Sequence, residues 1–211
     1  MDLLIPGSVG VLEAKLSVPR DGSPARAACA VCHPHPLHGG TMNNTVVFRT
    51  ARGLELAGLA VLRFNFRGVG RSEGAHDGEG GEEEDLAAAL DHLEVEFPGL
   101  DLWAAGFSFG ARTTASCARK DPRISRVILV ALPVKAFDCS FVREIRKPGL
   151  VLMAGKDEFG TREDLLRSFP DLYPGLEIDE IPEVDHYFQG ATSELQNRVR
   201  RYAERAFQDP S

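Results

Sequence analysis

The pentapeptide Gly106-x-Ser108-x-Gly110 constrains the fold of this chain more than any other feature of its sequence. It lies between Leu102–Phe107, an apolar run typical of a buried strand, and Ala111–Ala118, a run without Gly or Pro that favours a helix. A sharp turn from strand to helix forces the central serine to a positive φ, which is strained for any residue with a Cβ. We expect the glycines to let strand and helix approach each other, leaving the serine hydroxyl exposed at the tip of the turn.

Short apolar runs alternate with helical patterns along the chain. Strands are predicted at Val11–Val18, Ala27–Cys32, Leu59–Phe66, Leu102–Phe107, Val127–Leu132, Leu150–Ala154 and Leu176–Ile181. Helices are predicted at Thr41–Ala57, Glu82–Phe97, Ala111–Ala118, Arg162–Phe169 and Thr192–Phe207. This alternation favours an α/β fold with a doubly wound, mostly parallel sheet flanked by helices. The 211 residues suffice for one substantial core, so a single domain spanning residues 1–211 is expected.

Composition and charge argue against several classes of function. The net charge of −7 disfavours a nucleic-acid partner. No stretch of the sequence is long and apolar enough to span a membrane. The apolar run in Met1–Pro6 contains an early acid and is too short for a signal peptide. We therefore expect a cytoplasmic protein with neither a nucleic-acid nor a membrane partner, and the sequence carries no prediction of its oligomeric state.

Two clusters in the chain resemble metal sites. Cys29-x-x-Cys32 resembles half of a zinc site, but it lies within a predicted strand and the sequence offers no second pair. His33, His35 and His38 are close in sequence, but two prolines limit how their rings can converge. We interpret the cysteines as small buried thiols and predict neither a metal nor a cofactor.

Three chemically complementary side chains follow three predicted strands. Ser108 follows Leu102–Phe107 directly, and a serine hydroxyl needs a base that is itself oriented by an acid. Asp157 lies just beyond the Leu150–Ala154 strand, and His186 lies beyond the last strand. Because reactive groups of such sheets lie at the carboxyl ends of strands, we expect the three to meet. His186 is the predicted base and Asp157 the predicted orienting acid.

Other residues compete for the roles of base and acid. His92 is expected on a solvated helix face, and His76 lies in a polar, Gly-rich loop that we expect to be mobile. Glu158 is an alternative to Asp157, although it is one residue further from the strand end. Asp185 is a second alternative, but it is adjacent to the predicted base and poorly placed to orient its ring.

Cleavage by a serine also needs preorganised backbone donors for the developing oxyanion. The Phe109 N–H is predicted as the first, because it opens the helix after the serine and the helix dipole reinforces it. The second is predicted in the loop His33–Gly40, where the prolines lack an N–H and His35 or Leu37 remains. Phe107 and Phe109 flank the serine and are candidates to line an apolar acyl pocket, although core packing is the commoner fate of such residues.

Several segments carry a resemblance to a known family. They are Cys32–Asn44, Phe64–Ser72, Gly106–Gly110, Lys156–Glu158 and Asp185–Phe188, and they span most of the chain. In these segments the chain resembles the α/β-hydrolase superfamily, close to the small cap-less esterases and the dienelactone-hydrolase-like group. The order Ser108, Asp157, His186 is also the order of that fold.

The resemblance implies a serine hydrolase of small carboxylic esters that works through an acyl-enzyme and needs no metal. The chain departs from the family where it carries a serine in place of the dienelactone-hydrolase cysteine. It also departs at Gly155-Lys156-Asp157, an acid turn one residue shorter than the common form. The segment Pro133–Pro148 is too short for a cap domain, which predicts an open, shallow site. Amide, peptide or thioester cleavage by the same residues, or a non-catalytic binding protein on this fold, are the alternatives.

Overall fold

The secondary structure follows the predicted alternation closely. In the computed structural model, which describes residues 1–76, 78 and 80–208, the strands are β1 (Asp2–Gly7), β2 (Gly10–Ser17), β3 (Ala28–Cys32), β4 (Ala60–Phe64), β5 (Leu102–Phe107), β6 (Ile124–Val130), β7 (Gly149–Ala154) and β8 (Leu176–Ile181). The helices are α1 (Thr45–Leu56), α2 (Gly81–Glu96), α3 (Phe109–Lys120), α4 (Arg162–Ser168) and α5 (Thr192–Ala206).

The strands form one sheet in the order β1-β2-β4-β3-β5-β6-β7-β8. The pairs β1–β2 and β2–β4 are antiparallel, and the pairs from β4–β3 to β7–β8 are all parallel. Parallel neighbours need a crossover, which the helices supply. The predicted mostly parallel α/β fold is therefore confirmed.

Helices cover both faces of the sheet. The apolar side chains of α2 and α3 pack with one core cluster, and those of α1 and α5 pack with a second. Strand β5 contributes to both, because successive side chains of a strand point to opposite faces. Leu102 and Ala104 belong to the first cluster, while Trp103, Ala105 and Phe107 belong to the second. All six residues of this central strand are buried, which fixes the position of the turn that follows it.

Some boundaries differ from the predicted ones. The run predicted only to be too short for a signal peptide forms most of the edge strand β1, paired with β2. Helix α1 begins at Thr45 and not at Thr41, because the side chain of Asn44 caps it. The helix after the serine begins at Phe109, two residues earlier than predicted. The strand predicted at Val127–Leu132 corresponds to β6. It begins three residues earlier than predicted, at Ile124, and ends two residues earlier, at Val130.

The connection between β6 and β7 is short. Residues 131–148 form loops and one 3₁₀ turn, Ser140–Glu144, and build no cap over the sheet edge. Over the part of the chain that the structure describes, no helix has the length and apolarity required to cross a membrane.

Candidate active site

The turn after β5 has the strained geometry that the pentapeptide predicts. Ser108 has φ 55° and ψ −120°, and its N–H donates to the Val130 carbonyl oxygen at 2.9 Å. A Cβ at Gly106 would lie 2.2 Å from the carbonyl oxygen of Gly110, and one at Gly110 would lie 2.5 Å from the carbonyl oxygen of His33. Only glycine permits these approaches, so the prediction for both glycines is confirmed.

The structure brings Ser108, His186 and Asp157 together. The Nε2 atom of His186 lies 2.9 Å from the Oγ atom of Ser108, and its Nδ1 atom lies 2.7 Å from the Oδ2 atom of Asp157. The carboxylate is fully buried, and its Oδ1 atom accepts the N–H of Phe159 at 2.8 Å. Both carboxylate oxygens are therefore held, so the acid is fixed in the orientation that lets Nδ1–H donate to it and leaves Nε2 to accept the hydroxyl proton.

Aromatic rings surround the imidazole of His186. The ring centroid of Phe107 lies 5.0 Å from it, that of Phe159 4.8 Å and that of Tyr187 5.3 Å. Phe107 is only 1% exposed and does not line the cavity in front of Ser108. The prediction that Phe107 lines an acyl pocket is wrong, because its position in β5 turns the side chain into the core. Its ring instead packs against the imidazole.

The two predicted oxyanion donors on the His33–Gly40 loop differ in availability. The Leu37 N–H donates to the Nδ1 atom of His35 at 3.2 Å, and the Leu37 side chain is 74% exposed. Leu37 is therefore contradicted as the donor. The carbonyl oxygen of His35 accepts the N–H groups of His38 and Gly40, both at 3.1 Å, which ties the loop together.

The backbone N–H groups of His35 and Phe109 have no acceptor among the described residues. Phe109 is the first residue of α3, where an N–H has no partner within the helix. His35 lines the cavity together with Ser108. His35 and Phe109 therefore stay the predicted donors for an oxyanion. The Phe109 side chain, in contrast, is 7% exposed and lines a separate small cavity behind His35.

The rival acids lie outside the hydrogen-bonded chain. Glu158 is exposed. Asp185 is exposed, and its Oδ1 atom accepts the N–H groups of Tyr187 at 3.1 Å and Gln189 at 2.9 Å. Asp185 therefore shapes the turn that carries His186 and does not contact its ring nitrogens.

The remaining histidines have distinct environments. His33 is fully buried: its Nε2 atom accepts the Phe66 N–H at 3.0 Å, and its Nδ1 atom donates to the Pro34 carbonyl oxygen at 2.6 Å. Both ring nitrogens are thus occupied, and burial lowers the pKa of His33 from 6.5 to about 4. His92 is half-buried and its Nε2 atom has no partner among the described residues, so the expectation of a solvated ring is wrong.

His76 contacts the loop that carries the candidate donor. Its Nδ1 atom lies 2.5 Å from the Oε1 atom of buried Glu82, and its ring centroid lies 4.9 Å from that of His35. The side chain is only 10% exposed, so His76 itself is packed against its neighbours. Burial and the neighbouring rings of His76 and His38 lower the pKa of His35. A pairing of His76 with Glu82 has no sequence signal beyond their closeness in the chain.

The four cysteines are free and buried. Burial raises the pKa of Cys117 and of Cys139 to about 12, so neither is a thiolate at neutral pH. Cys29 and Cys32 lie on β3 and belong to opposite core clusters. The interpretation of the cysteines as small buried thiols is confirmed.

A cavity of about 300 Å³ lies in front of Ser108. One wall is apolar and is formed by Pro133, Ala136, Phe137 and Phe159. Polar groups and backbone from His38, Gly39, Gly40, Asn44 and Tyr187 also line the cavity. The cavity can therefore hold a small molecule that has both apolar and polar groups.

The sheet order, the strained serine after β5 and the absence of a cap between β6 and β7 define an α/β hydrolase without a lid. The family model described as serine aminopeptidase, S33, matches residues 24–139. The chain belongs to this family, and the protein is therefore a hydrolase by fold and descent.

Two known structures and one further relative support the same assignment. An α/β serine hydrolase homologue from Coxiella burnetii is 38% identical, with a TM-score of 0.88 and a match covering 96% of both chains. XC6422 from Xanthomonas campestris, an α/β serine hydrolase without lid, is 31% identical with a TM-score of 0.89, and the match covers 100% of this chain and 95% of that one. The Rickettsia prowazekii (strain Madrid E) protein RP471 is 34% identical over 189 residues, which are 85% of this chain and 79% of that protein. The resemblance to cap-less α/β hydrolases is confirmed.

Proposed function

We propose that this protein is a serine hydrolase that cleaves small carboxylic esters through an acyl-enzyme. In this proposal Ser108 is the nucleophile, His186 the general base and Asp157 the orienting acid. The observation that carries it is the continuous hydrogen-bonded chain from the Ser108 hydroxyl through the imidazole to the buried carboxylate, with distances of 2.9 Å and 2.7 Å. Nucleophile, base and orienting group within hydrogen-bond reach are the signature of covalent catalysis by serine.

In the first half-reaction the Oγ atom of Ser108 attacks the ester carbonyl carbon, and its proton passes to the Nε2 atom of His186. The buried carboxylate of Asp157 stabilises the imidazolium that forms. The carbonyl oxygen gains negative charge and accepts hydrogen bonds from the N–H groups of Phe109 and His35. His186 then gives the proton to the alcohol oxygen, the bond between carbon and that oxygen breaks, and the acyl group remains on Ser108.

In the second half-reaction a water molecule attacks the acyl carbon, and His186 accepts its proton. The tetrahedral intermediate collapses, the bond to the Oγ atom of Ser108 breaks, and the serine regains a proton from His186. The carboxylic acid leaves and the enzyme returns to its starting state. In each half-reaction His186 thus acts first as a general base and then as a general acid, as acyl transfer requires.

Peptide cleavage is the second candidate, because the matching family is described as serine aminopeptidase. An aminopeptidase must hold the free α-ammonium group of its substrate, and a carboxylate near the nucleophile is the ordinary partner for that charge. Of the described residues that line the cavity at Ser108, none is Asp or Glu. The apolar wall and the lack of a carboxylate there favour a neutral ester as substrate.

Turnover of p-nitrophenyl acetate tests the proposal. The wild type should hydrolyse it, and Ser108→Ala should fall to the rate of buffer. Ser193→Ala is the matched control, since it makes the same change at an exposed position on α5. A fluorophosphonate probe should label the wild type and the control, and should not label Ser108→Ala. Activity that survives in Ser108→Ala would reject the nucleophile, and folded wild type without labelling or turnover would indicate a non-catalytic binding protein.

A further inference from the structure

A second cavity adjoins the one at Ser108. Its volume is about 330 Å³, and Asn44 and Tyr187 stand in the walls of both cavities. The rest of its described lining is mainly polar or small: Thr45, Val46, Asp185, Gln189, Gly190 and Thr192. A substrate that fills the first cavity can therefore extend past these two shared side chains into polar surroundings.

Asn44 presents a fixed donor at the junction of the two cavities. Its Oδ1 atom accepts the N–H groups of Val46 and Val47 at 2.9 Å and 3.4 Å, capping α1. Because the carbonyl of the side-chain amide is held by the helix, the amide cannot flip, and its Nδ2 group points away from those two N–H groups. Among the described residues the Nδ2 group has no hydrogen-bond acceptor, although Asn44 is half-buried.

Tyr187 adds an aromatic face and a hydroxyl at the same junction. It is 57% exposed, and no described residue makes a hydrogen bond with its hydroxyl group. The turn that carries it is held by Asp185, whose Oδ1 atom accepts the N–H groups of Tyr187 and Gln189. The Tyr187 ring also lies 5.3 Å from that of His186. The junction is therefore next to the base that protonates the leaving alcohol.

These observations indicate where the alcohol half of an ester would lie and which chemical groups it would carry. The leaving oxygen must lie near the Nε2 atom of His186. Tyr187, whose ring lies beside that imidazole, lines both cavities, so the alcohol half can extend from the first cavity into the second. Amide, hydroxyl and carboxylate groups around an exposed aromatic ring suit a neutral group that both donates and accepts hydrogen bonds. Neither cavity includes a Lys or Arg among its described lining residues, which disfavours a phosphorylated alcohol.

Resting on the serine hydrolase proposed above, we infer that the second cavity binds the alcohol half of the ester and that this alcohol carries further hydroxyl groups, as glycerol or a sugar does. One of those hydroxyl oxygens accepts a hydrogen bond from the Nδ2 group of Asn44, and the Tyr187 ring packs against the carbon face of the alcohol. Asn44 is thus a specificity-determining residue that also caps a helix.

The two proposed roles of Asn44, capping α1 through Oδ1 and donating to the alcohol from Nδ2, can be tested separately. Serine caps helices about as well as asparagine, so Asn44→Ser should retain α1 and melt within about 2 °C of the wild type. It removes the amide donor from the cavity. The matched control is Asn43→Ser, the same change at the neighbouring exposed residue, which lines neither cavity.

The measured quantity is the ratio of kcat/KM for monoacetylglycerol to kcat/KM for ethyl acetate. Differences in the intrinsic reactivity of the two esters cancel when this ratio is compared between variants. In Asn44→Ser the ratio should fall about three- to tenfold, the equivalent of one neutral hydrogen bond. In Asn43→Ser it should equal that of the wild type. An unchanged ratio in folded Asn44→Ser would overturn the inference.

A second measurement follows the acyl-enzyme directly. With p-nitrophenyl acetate as acyl donor and glycerol in the buffer, the wild type should form acetylglycerol as well as acetate, because a glycerol oxygen replaces water as the attacking group and gives its proton to His186. Asn44→Ser should form less acetylglycerol relative to acetate. Turnover with equal partitioning in both proteins would reject the alcohol site alone. The absence of any Ser108-dependent turnover would reject the proposed function and the inference together.

Discussion

The buried imidazole of His33 should make the stability of this protein depend on pH between pH 6.5 and about pH 4. The ring is fully buried, and its centroid lies 4.6 Å from that of Phe66. Its Nε2 atom is the acceptor for the Phe66 N–H, at 3.0 Å. Protonating Nε2 would remove this hydrogen bond and would place a positive charge in the core, which is why burial lowers the pKa of His33 from 6.5 to about 4.

The sign and size of the effect follow from the two pKa values. Below pH 6.5 the unfolded chain binds a proton at His33, whereas the folded protein does not bind it until the pH approaches about 4. The contribution of the neutral ring to folding is therefore complete above pH 6.5 and is lost as the pH falls toward 4. At about 1.4 kcal/mol for each pKa unit, the loss is about 3 kcal/mol of the free energy of unfolding.

Urea denaturation followed by circular dichroism, from about pH 7 down to about pH 4, measures this loss. The reference is His33→Gln, which retains an acceptor for the Phe66 N–H but has no proton to titrate. The variant is expected to be less stable at every pH because it loses ring packing, so the comparison concerns slopes. Over this range the free energy of unfolding should fall about 3 kcal/mol further in the wild type than in the variant. Parallel curves would refute the reasoning, since the remaining titratable groups are common to both proteins.

Three further predictions concern the orienting acid Asp157, the turn between β5 and α3, and the four cysteine thiols. Asp157→Asn should lower kcat for p-nitrophenyl acetate by a factor on the order of 10⁴, because the imidazole loses its orienting charge, whereas Glu158→Gln should change it little. Equal losses in the two variants would reject Asp157 as the acid. Gly106→Ala should lower the free energy of unfolding by at least about 2 kcal/mol in urea denaturation, since its Cβ would meet the Gly110 carbonyl oxygen at 2.2 Å. A chromogenic thiol reagent should label none of the four buried cysteines in the folded protein and all of them in guanidinium chloride, and rapid labelling without denaturant would contradict their burial.

Much of this fold can be predicted from the sequence because its strands are short apolar runs with helical patterns between them. The convergence of Ser108, Asp157 and His186 can be predicted for a further reason. Parallel strands end at the same edge of a sheet, so residues that follow such strands are brought together however far apart they lie in the chain. The strain at the serine also follows locally, from a turn too sharp for ordinary backbone angles.

The errors have different causes, of which only the first is a pairing between two strands. Strand β1 forms at the sheet edge by pairing with β2, and its half-exposed residues give only a weak pattern. The start of α1 depends on the Asn44 side chain accepting two backbone N–H groups. Closeness to the serine suggests that Phe107 lines the substrate pocket. The two-residue period of a strand instead places it on the same face as Trp103 and Ala105, in the core.

The backbone at the carboxyl ends of the parallel strands is both strained and held by hydrogen bonds, and the hydrogen bonds are what maintain the strain. In the described part of the chain the non-glycine residues with positive φ are Ser108, Ala131, Glu183 and Phe188. The first three lie one or two residues beyond β5, β6 and β8, and Phe188 lies two residues after His186.

Each such residue costs on the order of 1–3 kcal/mol unless its surroundings impose the conformation. At Ser108 and Ala131 the hydrogen bonds of the sheet continue past the strand ends and impose it. The N–H of Ser108 donates to Val130, that of Ala131 to Leu152 and that of Gly155 to Ile181, all at 2.8–2.9 Å. The chain leaving each strand is therefore fixed by its neighbour before the loops diverge. This explains how a serine, an acid and a histidine from three separate loops can lie within hydrogen-bond distance with no cap domain to press them together.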